Sequence, residues 1–222
     1  MDTRLDRAAC QENVGIFDNF SGYDAPMAET KDDKLSTYRS KRDTKKSGEP
    51  GGGKGGDKPI FVVQRHDASS LHFDFRLEID GVLVSWAVPK GPSLDPREKR
   101  LATRTEDHPM DYADFEGRIA KGEYGGGTVV VWDTGEFENV TEKKGEPVEA
   151  PQALANGHLK FALHGQKLSG VFAITHSKMG GDDSNWLLLK VDDGDADRRR
   201  KPATTQPESV LSGKTNEDFE DD

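Results

Sequence analysis

His66 and His72 stand six residues apart, and Asp74 follows two residues later, in the stretch HDASSLHFD. Imidazole nitrogens with one carboxylate form a donor set that suits a divalent ion of the Mn, Fe, Co, Ni or Zn group and leaves positions open for a substrate. The three side chains converge only if DASS turns the chain back, so that His66 ends one strand and His72 begins the next. LHFDFRLEI (71–79) supports that geometry, because Leu71, Phe73, Phe75, Leu77 and Ile79 alternate with His72, Asp74, Arg76 and Glu78. Successive side chains of a strand point to opposite faces, so a histidine, a carboxylate and a guanidinium share one row. The same pattern also describes two incidental histidines on a surface hairpin.

Further groups able to bind or protonate a phosphate follow closely. Arg76 lies in the same row, Lys90 in VPKGPS, and Arg100 in EKRLAT. A guanidinium binds phosphate oxygens in a fork, next to a metal that polarises them. TEDHPMDYADFEG (105–117) adds His108 and, four residues on, Tyr112, which can exchange a proton with an oxygen or donate to one. GEYGGGTVVVW invites a phosphate-loop reading, but it lacks the Lys-Ser/Thr of such loops and runs into a strand, so it reads as a tight strand entry. His158, His164 and His176 have no carboxylate nearby in sequence and read as structural, and Trp86, Trp132 and Trp186 read as core or rim aromatics.

The elements that must position these groups are short strands. IFVVQ (60–64), 71–79, VLVSWAV (82–88), RLATRT (100–105), GTVVVWDTG (127–135), HLKFALHG (158–165), GVFAITHS (170–177) and NWLLLKV (185–191) are the candidates. Between them stand turn signals such as DG at 80–81, PKGP at 89–92 and GEYGGG at 122–127. Short strands with Gly-rich turns and little helical period indicate an all-β barrel or sandwich. A short helix is expected at 149–156, and a weaker one at 34–42. Residues 1–35 read as a flexible extension, 36–58 as a basic segment with a Gly-rich linker, 59–191 as the barrel or sandwich, and 192–222 as an acidic, disordered tail.

Composition narrows the setting. Hydrophobic and charged residues each make up 32% of the 222 residues, a balance that fits one packed domain with unpacked ends. The one cysteine, Cys10, excludes an intrachain disulfide and a thiolate zinc site. No apolar run reaches membrane-spanning length and no signal-peptide core is visible, so a cytoplasmic location without membrane contact is expected. The net charge of −10 predicts weak non-specific DNA binding, yet 36–58 carries seven basic against three acidic residues. A phosphate feels mainly charges within about 8–10 Å, so an acidic surface is compatible with a local anion site.

FVVQRHDASSLHFDFRLEIDGVLVSWAVPKGPSLDPREKRLATRTEDHPMDYADFEG strongly resembles the 3′-phosphoesterase domain of bacterial DNA ligase D. The likeness runs from about residue 36 to 190, through GEYGGGTVVVWDTG and NWLLLK. It implies a small β-barrel with a surface active site, acting on the 3′ ends of DNA primer-templates in end repair by non-homologous end joining. The implied enzyme removes a 3′-terminal ribonucleoside to leave a 3′-phosphate, then removes that phosphate to leave a 3′-hydroxyl. Manganese is the implied metal, with cobalt or zinc also compatible, on His66, His72 and Asp74. Arg76 and His108 match positions that engage the scissile phosphate, and Tyr112 matches a further essential residue. Gln64, Lys90, Arg100 and Glu106 match supporting positions. Arg42, Asp43 and Glu49, in KRDTKKSGEP, match an arm tied mainly to the ribonucleoside step, which turns 36–58 from plain linker into functional arm.

Arg65 and Phe73 depart from the Lys and Tyr common in that family but keep their general character. No KxDG nucleotidyl-transfer motif is present, so a stand-alone processing enzyme is expected, with a separate ligase, polymerase or end-binding protein as its companion. Two rivals stay open. A two-histidine, one-carboxylate site on a barrel also describes non-haem Fe(II) oxygenases. A DNA-end adaptor that binds a 3′-phosphate without turning it over would carry the same residues.

Overall fold

The alternating stretch at 71–79 forms a strand whose Phe73, Phe75, Leu77 and Ile79 face inward while Leu71 stays exposed, and the strands beside it curl until the sheet meets itself. The computed structural model describes residues 34–42, 49–50, 58–177 and 181–220. Its elements run α1 (Ser36–Lys41), β1 (Ile60–Asp67), β2 (Leu71–Ile79), β3 (Val82–Val88), β4 (Arg100–Arg104) and a 3-10 turn (Met110–Asp114). Then come β5 (Gly117–Ile119), β6 (Gly127–Asn139), β7 (Glu142–Lys143), β8 (Glu146–Pro147), α2 (Ala150–Ala155), β9 (His158–His164), β10 (Ser169–His176), β11 (Asn185–Lys190), α3 (Pro202–Thr205) and a second 3-10 turn (Glu217–Phe219). The order β1-β2-β3-β4-β11-β10-β9-β6 closes through pairing of β6 with β1, which gives an antiparallel barrel of the eight strands expected from the sequence.

The hairpin turns carry their own chemistry. Asp80 and Gly81 have φ of 54° and 70°, the left-handed pair that a two-residue hairpin turn requires, and Ile79 pairs with Val82 across it. β6 and β1 change register between Val63 and Gln64, a bulge that bends the long strand round the barrel.

Phe61, Val63, Phe73, Phe75, Trp86, Trp132, Phe161, Phe172 and Trp186 fill the barrel interior. A second, smaller cluster lies outside it: Val62, Leu83 and Val131 of the wall pack with Tyr38 of α1 and with Met110, Tyr112 and Ala113 of the 3-10 turn. β1 is therefore covered on both faces, which explains why IFVVQ does not alternate. Within this outer layer the polar row of β2 meets the segment 105–126.

The tail departs from expectation. Residues 192–220, read from composition as disordered, run against the barrel wall. The Trp132 indole donates to Gln206 O at 2.6 Å, and Val210 N donates to Val131 O at 3.0 Å. Asn216, 1% exposed, donates to Thr128 O at 2.7 Å and to Arg65 O at 3.1 Å. The segment adheres through backbone and amide hydrogen bonds, and composition does not register these. The Gly-rich linker at 51–57 and the extension at 1–33 lie outside the described residues. No helix among the described residues is long and apolar enough to cross a membrane.

Candidate active site

Register brings the sequence-predicted cluster together. His66 pairs across the β1–β2 hairpin with His72, and Gln64 pairs with Asp74. The His66 Nδ1 to Asp74 Oδ2 distance is 3.5 Å, and His72 Nε2 lies 3.8 Å from Asp74 Oδ1. The outer nitrogens are anchored to backbone: His66 Nε2 lies 2.8 Å from Gly125 O, and His72 Nδ1 lies 2.9 Å from Ser70 O. A carbonyl oxygen only accepts, so those nitrogens carry the protons and the inner ones present lone pairs. Two lone pairs and a carboxylate facing one another repel unless a cation lies among them. Their ligand atoms lie within 4.8 Å of one another, and the outer hydrogen bonds are the kind that orient metal-binding imidazoles. The residues fit a divalent cation.

Gly125 reaches His66 because the loop before β6 is tightly folded. Gly125 has φ 80°, and at Gly127 a Cβ would stand 2.1 Å from Asp67 O, so only glycine permits this approach to the end of β1.

Arg76 is 2% exposed and fixed on three sides. Its Nε donates to Gln64 Oε1 at 2.9 Å, Nη1 to Ser85 Oγ at 2.7 Å, and Nη2 to Asp74 Oδ2 at 3.1 Å. Gln64 in turn donates to Tyr112 O at 3.0 Å and Phe115 O at 3.1 Å, tying the guanidinium to the 3-10 turn. Burial pushes the Asp74 carboxyl up, but the Arg76 guanidinium outweighs it and holds it well below the usual carboxylate range.

His108 is held by an isolated bridge to β3, with His108 N donating to Leu83 O at 2.9 Å and Leu83 N to His108 O at 2.8 Å. Its Nδ1 donates to Glu106 O at 2.9 Å, so Nε2 is the unprotonated nitrogen and accepts from Arg42 Nη2 at 3.2 Å. Burial, then the Arg76 and Arg42 charges, hold His108 well below its ordinary pKa, so it is neutral at pH 7. Tyr112 packs edge-on against His108 at 4.9 Å between centroids, and burial pushes its hydroxyl well above the ordinary phenol range.

The arm closes one side. Arg42 donates from Nε to Glu49 at 2.9 Å and from Nη1 to Glu106 at 2.5 Å, while Lys41 reaches Glu106 at 3.1 Å. Tyr38 anchors the arm, its hydroxyl donating to Pro50 O at 2.8 Å and its ring set edge-on to His108. A cavity of about 270 Å³ is lined by Arg42, His66, His72, Asp74, Arg76, Glu106, His108, Tyr112 and Tyr124, among others.

Lys90 and Arg100 do not line this cavity. They border a separate groove with Pro89, Lys99 and Leu101, where Arg100 pairs with Glu98 at 2.5 Å. Asp43 lies outside the described residues. Sequence reasoning missed Ser85, Tyr38, Tyr124 and the Gly125 carbonyl. Ser85 had a signal, as the one polar residue inside VLVSWAV; a backbone carbonyl has none. The GEYGGG loop is a strand entry as expected, but it is also a wall of the site. His158 and His176 do serve local contacts, to Thr175 Oγ1 at 2.8 Å and Asp183 O at 2.9 Å.

A family model described as the DNA Ligase D 3′-phosphoesterase domain matches residues 64–176. The chain is 48% identical over 188 residues to the multifunctional non-homologous end joining protein LigD of Pseudomonas aeruginosa, covering 82% of the chain and 21% of that relative. It is 44% identical over 173 residues to the protein of the same name in Mycolicibacterium smegmatis, covering 77% of the chain and 22% of the relative. Against the Mycobacterium tuberculosis H37Rv DNA repair protein LigD it is 44% identical over 171 residues, covering 76% of the chain and 20% of the relative. The chain thus spans about a fifth of the length of these curated relatives.

Proposed function

The chain belongs to the DNA ligase D 3′-phosphoesterase domain family, and we propose that it is a metal-dependent phosphoesterase that trims DNA 3′ ends in end joining. It removes a 3′-terminal ribonucleoside and then the remaining 3′-phosphate, leaving a 3′-hydroxyl for a polymerase or ligase. The observation that carries this reading is the convergence of His66, His72 and Asp74 beside the buried guanidinium of Arg76.

A divalent cation on those three residues, manganese in this reading and cobalt or zinc by the same donor chemistry, supplies Lewis-acid polarisation of a phosphate oxygen. The protein supplies the rest. Three of the five Arg76 N–H groups are engaged, and the two left can meet a phosphate in a fixed direction, with no reorganisation cost. Neutral His108, with its proton on Nδ1, accepts from Arg42 at Nε2 and so holds that guanidinium in place beside the phosphate. Tyr112, kept as a phenol, packs His108 in place. Arg42, Asp43 and Glu49 act on the ribonucleoside step, with Glu106 setting the place of Arg42. Lys90 and Arg100, in their separate groove, hold strand phosphates away from the reacting one.

The test is a labelled primer-template ending in one ribonucleotide, incubated with manganese and then with chelator. Stepwise appearance of a 3′-phosphate and then a 3′-hydroxyl, abolished by chelator, is expected. Binding of metal and DNA end without processing would overturn the reading and leave an adaptor.

A further inference from the structure

Tyr124 is the one exposed aromatic side chain among the described residues, with half its surface open to solvent. It stands in the wall of the same cavity as His66, His72, Asp74 and Arg76. Tyr112, the other tyrosine that lines it, is 2% exposed and committed to packing. The Tyr124 ring is held from the arm side by Arg42, 5.1 Å from guanidinium carbon to centroid, and by Lys41 Nζ at 5.0 Å. Lys41 Nζ also lies 3.5 Å from the Tyr124 hydroxyl. Gly122 and Gly125 on either side have φ of 95° and 80°, so the loop holds a shape that presents the ring instead of burying it.

A large ring left in water beside a phosphate site gives up the stabilisation of burial, and it suits a planar partner that arrives with the phosphate. We propose that Tyr124 stacks on the base of the 3′-terminal nucleoside and so determines specificity in the nucleoside-removing step. This rests on the phosphoesterase reading above. The stack would form on the part of the ring that Arg42 and Lys41 leave open to solvent. It tolerates any base, since every base has a π face, and it distinguishes a nucleoside from a base-free sugar.

The test compares the full chain with Tyr124→Ala and Tyr124→Phe on two primer-templates, one ending in an ordinary ribonucleotide and one in a base-free ribose at the same position. KM and kcat for release of the terminal group are measured with manganese present. Tyr124→Ala is expected to raise KM about ten-fold on the base-carrying primer and to leave the base-free primer unchanged, while Tyr124→Phe retains the wild-type preference. An equal change on both primers would overturn the proposal and make Tyr124 a support for Arg42 and Lys41. If the wild-type chain turns over neither primer, the phosphoesterase reading falls and the stacking role falls with it.

Discussion

Arg42 Nη2 lies 3.2 Å from His108 Nε2, so a residue of the arm donates to the one imidazole nitrogen of the site that faces neither the candidate metal ligands nor the backbone. The contact joins positions 66 residues apart and makes the arm part of the electrostatics of the barrel. His108 cannot gain a proton cheaply while Arg42 and Arg76 stand beside it in a buried setting.

Removing that charge should therefore raise the His108 pKa. Arg42→Met is expected to move it upward toward the ordinary value, read from the imidazole carbon-bound protons by NMR titration. In the wild type the folded-state pKa is depressed, so the unfolded chain binds the proton first as pH falls. His108 thus costs stability below about pH 6.5, and the Arg42→Met variant should lose less there. An unchanged titration would mean that burial and Arg76 set the value without Arg42.

Gln64 is the hinge between Arg76 and the 3-10 turn. Gln64→Leu would strand Arg76 Nε and two backbone carbonyls in a buried layer, at a cost of about 3 kcal/mol in urea unfolding. Activity of the folded fraction should fall as well, because Arg76 loses one of its three fixed directions. Full activity with lowered stability would separate packing from positioning.

His72→Ala should weaken manganese binding more than about 100-fold by titration calorimetry, since even outer partners of a metal ligand are worth 10–100-fold. Both processing steps should be lost together. Loss of only one would show that the two steps do not share the centre.

Asp43→Ala is expected to slow ribonucleoside removal more than phosphate removal when each is timed on its own primer. Equal slowing would remove the separate role given to the arm.

Asn216→Ala should destabilise the barrel by about 1–3 kcal/mol in thermal or urea unfolding, because it leaves the Thr128 and Arg65 carbonyls without their amide. An unchanged midpoint would mean that water replaces the amide there.

The sequence made legible what depends on alternation and residue type. All eight barrel strands stand among the sequence candidates, most of them as apolar stretches between turn signals, and His66, His72, Asp74 and Arg76 fall in register because the DASS turn fixes their hairpin. The closure of the sheet is less visible, since β1 and β6 are far apart in the chain. The Gly125 and Ser70 carbonyls that orient the histidines carry no side-chain signal. Lys90 and Arg100 show the converse: their type and nearness in sequence suit a phosphate beside the metal ligands, and they border another groove. The tail was misjudged because low hydrophobicity reports poor apolar burial and says nothing of a strap held by hydrogen bonds.

Because β6 pairs with β1, the eight strands of the ring form a cylinder in which each is flanked by its neighbours. Among the described residues the ring therefore offers no long open edge to which a partner could add a strand. Recognition falls to loops and side chains standing on the outer wall, and docking geometry can diverge between partners without disturbing the hydrogen-bonded scaffold beneath.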